Sequence, residues 1–411
     1  MSTAEHDAAH TEGDILQKCY DFQDANEVRA RGLYPYFRAI EGFKGSRVLA
    51  EGRELFMAGS NNYLGLSLEP RVRDAALEAI QTYGTSCSGS RFLNGTLKLH
   101  EELEERLANF VNKEASVCFT TGYQTNLGAI SALVGRGEHV IMDKLNHASI
   151  VDGIFLTQGL NRDIKVHRYK HKSLVQLRRI LEKIPPEEPK LIVTDGVFSM
   201  EGDIANLPEI RKLADEFGAR IYLDEAHAIG VIGETGRGTL EYYGDTELAD
   251  LVMCTFSKSF GSIGGFVAGD APVIDYIKHH ARSLIFSASI PPANLAATYK
   301  ALEIMENEPE RVRRLQEIAD KMIDGFRKLG FNTGETETAV VPLIIGDDEK
   351  TFQFWKYLFE QGVYVNPVVS PAVPPDSALI RTSYMAIHED QELDWFLEVA
   401  QKGAKEIGII K

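Results

Sequence analysis

The feature that most constrains the fold of this chain is a regular alternation of short β-rich runs with helical segments across residues 115–268. The runs are Ala115–Thr120, His139–Asp143, Ile164–Arg168, Leu191–Asp195, Arg220–Asp224, Leu251–Phe256 and Gly265–Ala268. Strand–helix alternation at this spacing is typical of α/β proteins, in which helices cover both faces of the sheet. We therefore predict a mostly parallel, seven-stranded central sheet with helices on both faces.

A second, smaller α/β section follows this region. A helical pattern runs from Pro291 to about Gly330, and further strands and a final helix are predicted at Val340–Ile345, Val363–Val365, Leu379–Ser383 and Asp390–Gly403. A chain of 411 residues is long enough for two or three domains. The predicted division is an N-terminal arm at 1–60, a large domain at 61–295 and a C-terminal small domain at 296–411.

Composition and charge exclude several classes of protein. The 44% hydrophobic and 25% charged residues are ordinary globular values, which exclude a disordered or fibrous protein. The 60 acidic and 44 basic residues leave a net charge of −16, which argues against a nucleic-acid binder because such proteins present a basic face. The four cysteines form no CxxC pair, and neither a secretory signal nor an apolar run of about 18 residues is present. We expect a cytoplasmic protein with reduced thiols, and transient contact with a membrane surface stays open.

Polar groups follow five of the predicted strands. The segments are Thr121-Gly122-Tyr123, Asn146-His147-Ala148-Ser149, the stretch from Phe198 to Asp203, Asp224-Glu225-Ala226-His227 and Ser257-Lys258-Ser259. In α/β sheets the functional groups collect in the loops after the carboxyl ends of the strands. We therefore expect these five segments to converge on one edge of the sheet and to form a binding site there.

Lys258 and Asp224 suggest the chemistry of that site. Lys258 lies just after an apolar strand, between two serines and ahead of a glycine-rich stretch, 261–265. Hydroxyls and bare backbone amides can hold a phosphate while the amine forms a Schiff base with an aldehyde. Asp224, at the end of another apolar strand, would keep the ring nitrogen of a pyridoxal cofactor protonated. Taken alone, the lysine is better explained as a solvated surface residue.

Two histidines extend this constellation. His227, three residues after Asp224, could hydrogen-bond the phenolic oxygen of the cofactor ring, although a lone histidine is more often a cap or a core residue. His147 could stack on the same ring. Its alternative role, the start of a helix near Ser149, is about equally plausible.

Other readings of these motifs are weaker. The sequence of residues 224–227, DEAH, also occurs in nucleic-acid helicases, but those need a GxxxxGK[ST] phosphate loop and this chain contains no Gly-Lys pair. The glycine-rich segment 233–238 does not match GxGxxG, so a dinucleotide site is unsupported. The eleven histidines include no HExxH motif, and we predict no metal site.

Six motifs, taken together, resemble those of a known family. They are 60–66 (SNNYLGL), 89–91 (GSR), 94–96 (NGT), 146–149 (NHAS), 224–230 (DEAHAIG) and 255–259 (TFSKS). In combination they resemble the α-oxoamine synthases, which are pyridoxal-phosphate enzymes of fold type I that condense an amino acid with an acyl-CoA. The resemblance extends from about Gly32 to the C-terminus and implies pyridoxal 5′-phosphate as the cofactor.

The resemblance implies a role for each matching position around the cofactor ring. Lys258 binds the cofactor aldehyde as a Schiff base and later moves the Cα proton, and Asp224 pairs with the pyridinium nitrogen. His147 stacks on the ring. His227 and Ser199 lie near its phenolic oxygen.

Further roles concern the phosphate and the subunit interface. The resemblance implies that Gly122, Tyr123, Thr255 and Ser257 hold the cofactor around its phosphate. It also implies that Ser287 reaches the phosphate of the cofactor in the neighbouring subunit. The chain is therefore expected to form a homodimer with shared active sites.

For the substrates, the resemblance implies that Asn61 and Arg381 receive the amino-acid carboxylate, since the fork of a guanidinium matches two oxygens. Three segments, 32–38, 89–97 and 365–374, are most similar to bacterial members of the family that join L-serine to a long-chain acyl-CoA such as palmitoyl-CoA. Two positions depart from the pattern. Val369 stands where one group of these enzymes has an arginine, and Glu389 stands where the family usually has a threonine.

Three alternatives stay open. The first is another α-oxoamine synthase, either a glycine C-acetyltransferase or an 8-amino-7-oxononanoate synthase that uses alanine and a pimeloyl thioester. The second is an aminotransferase, which would convert the cofactor to its amine form with an amino acid alone. The third is an inactive partner subunit, which the presence of Lys258 disfavours because such subunits lack this lysine.

Overall fold

A computed structural model describes residues 13–160 and 163–411 of the chain. The strands in this part are β1 (Gly42–Lys44), β2 (Arg47–Ala50), β3 (Arg53–Met57), β4 (Ala115–Phe119), β5 (His139–Asp143), β6 (Lys165–Tyr169), β7 (Lys190–Asp195), β8 (Arg220–Asp224), β9 (Leu251–Thr255), β10 (Gly265–Gly269), β11 (Val340–Ile344), β12 (Val363–Tyr364), β13 (Asn366–Val368) and β14 (Leu379–Ser383).

The helices alternate with these strands along most of the chain. They are α1 (Gln17–Tyr20), α2 (Asp24–Ala30), α3 (Pro70–Tyr83), α4 (Lys98–Phe110), α5 (Gly122–Leu133), α6 (Ala148–Leu160), α7 (Leu174–Leu181), α8 (Leu207–Phe217), α9 (Thr239–Tyr243), α10 (Ala271–His280), α11 (Arg282–Ile285), α12 (Pro292–Asn307), α13 (Glu310–Leu329), α14 (Asp348–Glu360) and α15 (Asp390–Ile407). Short 3₁₀ turns lie at Leu66–Leu68 and Thr246–Leu248.

The seven predicted strands form one central sheet, in the order β4-β10-β9-β8-β7-β5-β6. Only β10 runs antiparallel to its neighbours, β4 and β9, so the prediction of a mostly parallel seven-stranded sheet is confirmed. Every residue of β5, β7, β9 and β10 is buried, as expected for strands covered on both faces.

Alternate residues of the central strands belong to two separate apolar cores. In β5, Ile141 packs into the core on one face, whereas Val140 and Met142 pack into the core on the other. The same alternation places Tyr222 on the second face and Leu223 on the first. This two-residue period is the reason why continuous apolar runs form strands between two layers of helices.

Two smaller sheets complete the architecture. The first has the order β1-β2-β3-β12, so strands of the predicted arm pair with a strand from the C-terminal section. The second is antiparallel, with the order β11-β14-β13. The predicted strand at Val363–Val365 ends at Tyr364 and pairs with β3. A separate strand that was not predicted, Asn366–Val368, pairs with β14. The division into an arm at 1–60 and domains at 61–295 and 296–411 stays a prediction.

The helical predictions agree closely with the structure. The pattern from Pro291 to Gly330 forms α12 and α13, which are separated at Glu308–Pro309 as expected. The predicted helix at Asp390–Gly403 continues to Ile407. Within the described residues, none of the helices combines the length and the apolar composition that a membrane crossing requires.

Candidate active site

A cavity of about 310 Å³ lies at the carboxyl edge of the central sheet. Residues from the ends of β4, β5, β7, β8 and β9 line it together, as the convergence of strand ends requires. Its lining residues are Thr121, Gly122, Tyr123, Asn126, His147, Ser149, Asp195, Asp224, Ala226, His227, Met253, Thr255, Ser257, Lys258, Ile263 and Gly264. Four of the five polar segments noted in the sequence therefore meet at one cavity.

Lys258 lies in a tight loop between β9 and β10. Two buried rings, Phe256 and Phe260, pack against each other with centroids 5.2 Å apart and anchor the loop on either side of the lysine. The Lys258 carbonyl accepts a hydrogen bond from the Gly261 N–H at 2.9 Å, and Gly261 has a φ of 62° that suits glycine. Burial lowers the pKa of the Lys258 amine to about 8. About a tenth of this amine is therefore neutral at pH 7, far more than for a lysine with an ordinary pKa.

Asp224 ends β8 and is almost completely buried. Its Oδ2 accepts a hydrogen bond from Asn126 Nδ2 at 2.7 Å, and its Oδ1 accepts one from the Ala226 N–H at 2.9 Å. Among the described residues no cationic side chain forms an ion pair with this carboxylate. A buried carboxylate that faces a cavity in this way is suited to a cationic ligand group, such as a protonated ring nitrogen.

His227 lines the cavity and contacts Tyr63. Its Nδ1 is 2.7 Å from the Tyr63 hydroxyl, and both side chains are fully or almost fully buried. Burial lowers the pKa of His227 well below its usual value and raises the pKa of Tyr63, while Lys258 and Arg381 lower the pKa of the histidine further. The imidazole is therefore neutral and held in one orientation by the tyrosine.

His147 lines the same cavity and immediately precedes α6. Its backbone N–H donates to Asp195 Oδ2 at 3.1 Å, which ties the loop after β5 to the end of β7. The ring is exposed toward the cavity, and its Nδ1 contacts the hydroxyl of Ser149 at 2.7 Å. His147 is therefore placed where it can contact a planar ligand held between Lys258 and Asp224.

The N-terminus of α5 forms the remaining end of the cavity. Thr121 caps this helix by accepting a hydrogen bond from the Gln124 N–H at 3.1 Å. A Cβ at Gly122 would lie 2.5 Å from the Thr255 side chain, so only glycine lets the helix approach β9 this closely. The Thr255 and Ser257 hydroxyls lie 2.9 Å apart beside it. Two hydroxyls beside a helix N-terminus are a donor set that fits a phosphate group.

Tyr123 and Ser287 are placed differently from the other predicted phosphate contacts. Tyr123 is largely exposed at the mouth of the cavity, where its hydroxyl bonds to Asp152. Ser287 is not a lining residue, and its Oγ accepts a hydrogen bond from Gln124 Nε2 at 3.0 Å. The predicted role of Ser287 concerns a neighbouring subunit and stays a prediction.

Arg381, on β14, provides a second candidate site for an anion. It is only 5% exposed, and its Nε donates to the Ser199 carbonyl at 2.7 Å, while Nη2 donates to Asn61 Oδ1 at 3.0 Å. Within the described ranges, no carboxylate forms an ion pair with this guanidinium. A buried guanidinium held by neutral groups is well suited to a carboxylate ligand. Tyr63 lies within 3.5 Å of Nη2 and so connects this site with His227.

The two positions that depart from the family pattern lie away from the lining residues. Val369 follows β13 and its carbonyl accepts a hydrogen bond from the Ala372 N–H. Glu389 is the exposed residue that precedes α15. The structure gives neither side chain a contact with the cavity.

Sequence reasoning missed several residues of the site. Asn126, Asp195 and Tyr222 carry no recognisable motif. Asn126 and Asp195 line the cavity, and Tyr222 is connected to it by its hydrogen bond to Asn126. Tyr63 and Ser149 belong to motifs quoted for the family resemblance, but no role was assigned to either. Membership of those motifs was the only sequence feature that could have indicated that Tyr63 and Ser149 belong to the site.

Comparison with known proteins gives a consistent result. The model of the family named aminotransferase class I and II matches residues 54–399. A serine palmitoyltransferase from Sphingobacterium spiritivorum is 49% identical over 388 residues, which cover 94% of this chain and 96% of that protein. A second serine palmitoyltransferase, from Bacteroides thetaiotaomicron, is 45% identical, and the aligned stretch covers 97% of this chain and 100% of that protein. An 8-amino-7-oxononanoate synthase from Thermoanaerobacter pseudethanolicus is 40% identical over a stretch that covers 93% of this chain and 96% of that protein.

Solved structures agree with the sequence relatives. A structure described as SPT with a PLP internal aldimine superposes with a TM-score of 0.92 at 34% identity, covering 97% of this chain and 100% of that one. A serine palmitoyltransferase from Sphingomonas wittichii superposes with a TM-score of 0.91 at 33% identity, with the same coverage. The match therefore includes both the large sheet and the two smaller ones.

Proposed function

The chain belongs to the aminotransferase class I and II family, and we propose that it is a serine palmitoyltransferase. The proposed reaction joins L-serine to a long-chain acyl-CoA such as palmitoyl-CoA and gives 3-oxosphinganine (3-ketodihydrosphingosine), CoA and CO2. The observation that carries the proposal is one cavity that holds Lys258 and Asp224 together, close to the buried guanidinium of Arg381. The full-length likeness to proteins named serine palmitoyltransferase supports it.

The residues present fit pyridoxal 5′-phosphate as the cofactor. The hydroxyls of Thr255 and Ser257 and the N-terminus of α5 at Gly122 suit the phosphate, and the Asp224 carboxylate suits a protonated ring nitrogen. Lys258 lines the same cavity, so its amine is available to the cofactor aldehyde. When bound, the cofactor supplies an electron-withdrawing ring that makes the Cα proton of an attached amino acid acidic.

Lys258 is the base and acid of the proposed reaction. Because burial lowers the pKa of its amine to about 8, about a tenth of the amine is neutral at pH 7 and can take the Cα proton of serine at Nζ. The same ammonium can return a proton to the product carbon. Two hydrogen-bond donors hold the Asp224 carboxylate at the cavity, where it would keep a proton on the ring nitrogen of the bound cofactor.

His227, His147 and Ser199 orient the reacting groups rather than exchange protons. His227 is neutral, and the contact of its Nδ1 with the Tyr63 hydroxyl fixes the ring at the cavity. His147 lines the same cavity with an exposed ring. Ser199 contributes its backbone carbonyl, which holds the Arg381 guanidinium in place.

Arg381 and Asn61 are proposed to bind the serine carboxylate. Arg381 already bonds to Asn61 Oδ1, and its Nη1 is 3.4 Å from the Ser383 hydroxyl, a long contact that leaves donor capacity for a ligand. The fork of two nitrogens would give both carboxylate oxygens a donor.

Several finer features belong to the same proposal. The enzyme is proposed to be a homodimer in which Ser287 reaches the cofactor phosphate of the neighbouring subunit. We also propose a cytoplasmic enzyme of sphingolipid synthesis that contacts the inner face of the membrane transiently, because its acyl substrate and its product are amphiphiles.

A matrix of amino acids and acyl-CoAs, assayed by release of free thiol, tests the proposed function. We expect thiol release with L-serine and palmitoyl-CoA and little with glycine or alanine. Release with glycine and acetyl-CoA would indicate a glycine C-acetyltransferase, and release with alanine and a pimeloyl thioester an 8-amino-7-oxononanoate synthase. Formation of a keto acid from an amino acid without acyl-CoA would instead indicate an aminotransferase.

A further inference from the structure

A continuous chain of hydrogen bonds runs from Tyr222 through two buried side chains that line the cavity, Asn126 and Ser149, to His147. The Tyr222 hydroxyl donates to Asn126 Oδ1 at 2.9 Å, and Asn126 Nδ2 donates to Ser149 Oγ at 2.9 Å. The Ser149 hydroxyl is 2.7 Å from His147 Nδ1. Tyr222, Asn126 and Ser149 are each no more than 1% exposed. Because water does not reach these groups, their own donors and acceptors decide the direction of each bond.

Asp224 fixes the direction of this chain. Its Oδ2 lies 2.7 Å from Asn126 Nδ2, and an ionised carboxylate can only accept a hydrogen bond. The Asn126 amide must therefore turn its nitrogen toward Asp224 and Ser149, and its two hydrogens are used by these two acceptors. Since Ser149 Oγ accepts from Asn126, the remaining hydroxyl hydrogen of Ser149 is free to point at His147 Nδ1.

The backbone supplies a second, independent donor to the same nitrogen. The Ser149 N–H lies 3.2 Å from His147 Nδ1, so the imidazole caps the first turn of α6. A backbone N–H can only donate. Two donors thus converge on Nδ1, which must carry a lone pair, and the ring proton is left on Nε2.

We propose that Ser149 and Asn126 are positioning residues that hold His147 in the neutral tautomer with its proton on Nε2. The His147 ring then presents an N–H donor to the cavity rather than a lone pair. This inference deepens the proposed function, because such a donor would meet an acceptor oxygen of the amino-acid substrate bound near Lys258. The tautomer itself does not depend on which amino acid is used.

The electrostatic surroundings agree with this arrangement. Partial withdrawal of the His147 ring from water lowers its pKa, and the neighbouring Lys258 lowers it further, although Asp224 acts in the opposite direction. The ring is therefore neutral at pH 7. Burial raises the pKa of Tyr222 well above its usual value, so the first donor of the chain stays protonated.

Two other histidines provide an internal reference with the opposite tautomer. The Nδ1 atoms of His279 and His280 each lie 2.8 Å from a backbone carbonyl, of Asp275 and Tyr276 respectively. A carbonyl only accepts, so these rings carry their proton on Nδ1 and expose the lone pair of Nε2. Diethyl pyrocarbonate reacts with the unprotonated nitrogen and so distinguishes the two arrangements.

The test measures modification rates of individual histidines by peptide mass spectrometry, on the full chain freed of cofactor at pH 7. We expect His147 to react several-fold more slowly than His279 and His280, although it is exposed. Ser149→Ala should raise the His147 rate roughly fivefold, the change expected for loss of one hydrogen bond of about 1 kcal/mol. Thr157→Val is the matched control, because it removes another buried hydroxyl from α6 that bonds only to Gly153.

The outcomes are distinct from those of the function assay. Equal reactivity of His147, His279 and His280 in the unmodified chain would overturn the proposal, and so would an unchanged His147 rate in a folded Ser149→Ala variant. If that variant does not fold, the comparison within the unmodified chain decides alone. In the cofactor-loaded enzyme, Ser149→Ala should raise the KM for the amino acid more than it lowers kcat, and Ser149→Thr should restore both. A KM that stays unchanged would contradict the positioning role.

Discussion

Asp195 and Asp224 lie directly opposite each other on neighbouring parallel strands, and both carboxyl groups line the cavity that contains Lys258. Burial, and then the negative charge of Asp224, raise the pKa of Asp195 well above its usual value. Asp224 instead receives hydrogen bonds from Asn126 and from the Ala226 N–H. The negative charge of the pair therefore resides on Asp224, and the two aspartates have different tasks in one site.

This difference makes the two aspartates a matched pair for mutagenesis. We expect Asp224→Asn to lower kcat/KM by at least about 100-fold, since the ring nitrogen would lose its anionic partner. Asp195→Asn should cost less than about tenfold, because an amide oxygen can still accept the His147 N–H and no charge is lost. The rate of thiol release measures kcat/KM for both variants. Equal losses in the two variants would contradict the assignment of the charge to Asp224.

Removing the amine of Lys258 should abolish turnover without unfolding the chain. Lys258→Ala is expected to lower kcat by about 10⁴-fold or more, because the group that moves the Cα proton is lost. Circular dichroism should show an unchanged fold, since the side chain faces a cavity. Lys144→Ala, which removes an exposed lysine at the same edge of the sheet, is the control and should retain activity. Activity within tenfold of the unmodified chain would rule out the proposed role of Lys258.

The lowered pKa of Lys258 predicts how cofactor uptake depends on pH. Only the neutral amine attacks an aldehyde, and with a pKa of about 8 the neutral fraction grows about tenfold per pH unit below 8 and levels off above it. The rate of uptake of pyridoxal phosphate by cofactor-free protein should follow this curve. A rate that continues to rise steeply beyond pH 9 would show that the amine has an ordinary lysine pKa.

Arg381→Lys tests the proposed carboxylate site. A lysine keeps the charge but loses the fork of two donors, so the KM for serine should rise about 10- to 100-fold while the KM for acyl-CoA changes little. Arg327→Lys serves as a control, because Arg327 bonds to Thr333, Gly334 and Thr336, away from the cavity. An equal rise of both KM values would place the effect of Arg381 on the fold rather than on serine.

Glu225 predicts a pH dependence of stability. It is completely buried, its Oε2 accepts the Thr239 N–H at 2.8 Å, and burial raises its pKa to about 8. Between about pH 4.5 and 8 the folded chain keeps a proton on Glu225 that the unfolded chain has released. The contribution of this group to the free energy of unfolding is therefore largest below about pH 4.5 and is lost as the pH rises to about 8. Glu225→Gln should gain stability relative to the unmodified chain over that range. Urea unfolding at pH 5 and pH 8 measures the difference, and a constant difference would contradict the raised pKa.

Much of the scaffold could be predicted from the sequence because its causes are local. Continuous apolar runs and intervening helical patterns were sufficient for the seven central strands and for α12, α13 and α15. Position at a strand end was sufficient to expect Lys258 and Asp224 at one edge, because parallel strands share their carboxyl ends.

The remaining features depend on tertiary packing. Nothing local shows that Val363–Tyr364 pairs with β3 whereas the adjacent Asn366–Val368 pairs with β14. The contacts of Asn126 with Asp224 and of Tyr63 with His227 join residues 98 and 164 positions apart. Spacing within a motif cannot reveal such pairs. The role of Ser287 depends on a second subunit and stays a prediction.

The most direct test of the account is to reduce the cofactor-loaded enzyme with borohydride and to locate the cofactor by peptide mass spectrometry. Reduction makes the bond between the cofactor and an amine permanent, so the phosphopyridoxyl mass marks the lysine involved. We predict this mass on the peptide that contains Lys258 and on no other. The same mass on a different lysine, or no labelled peptide from an active preparation, would contradict the central claim that the cavity between Lys258 and Asp224 is the site of catalysis.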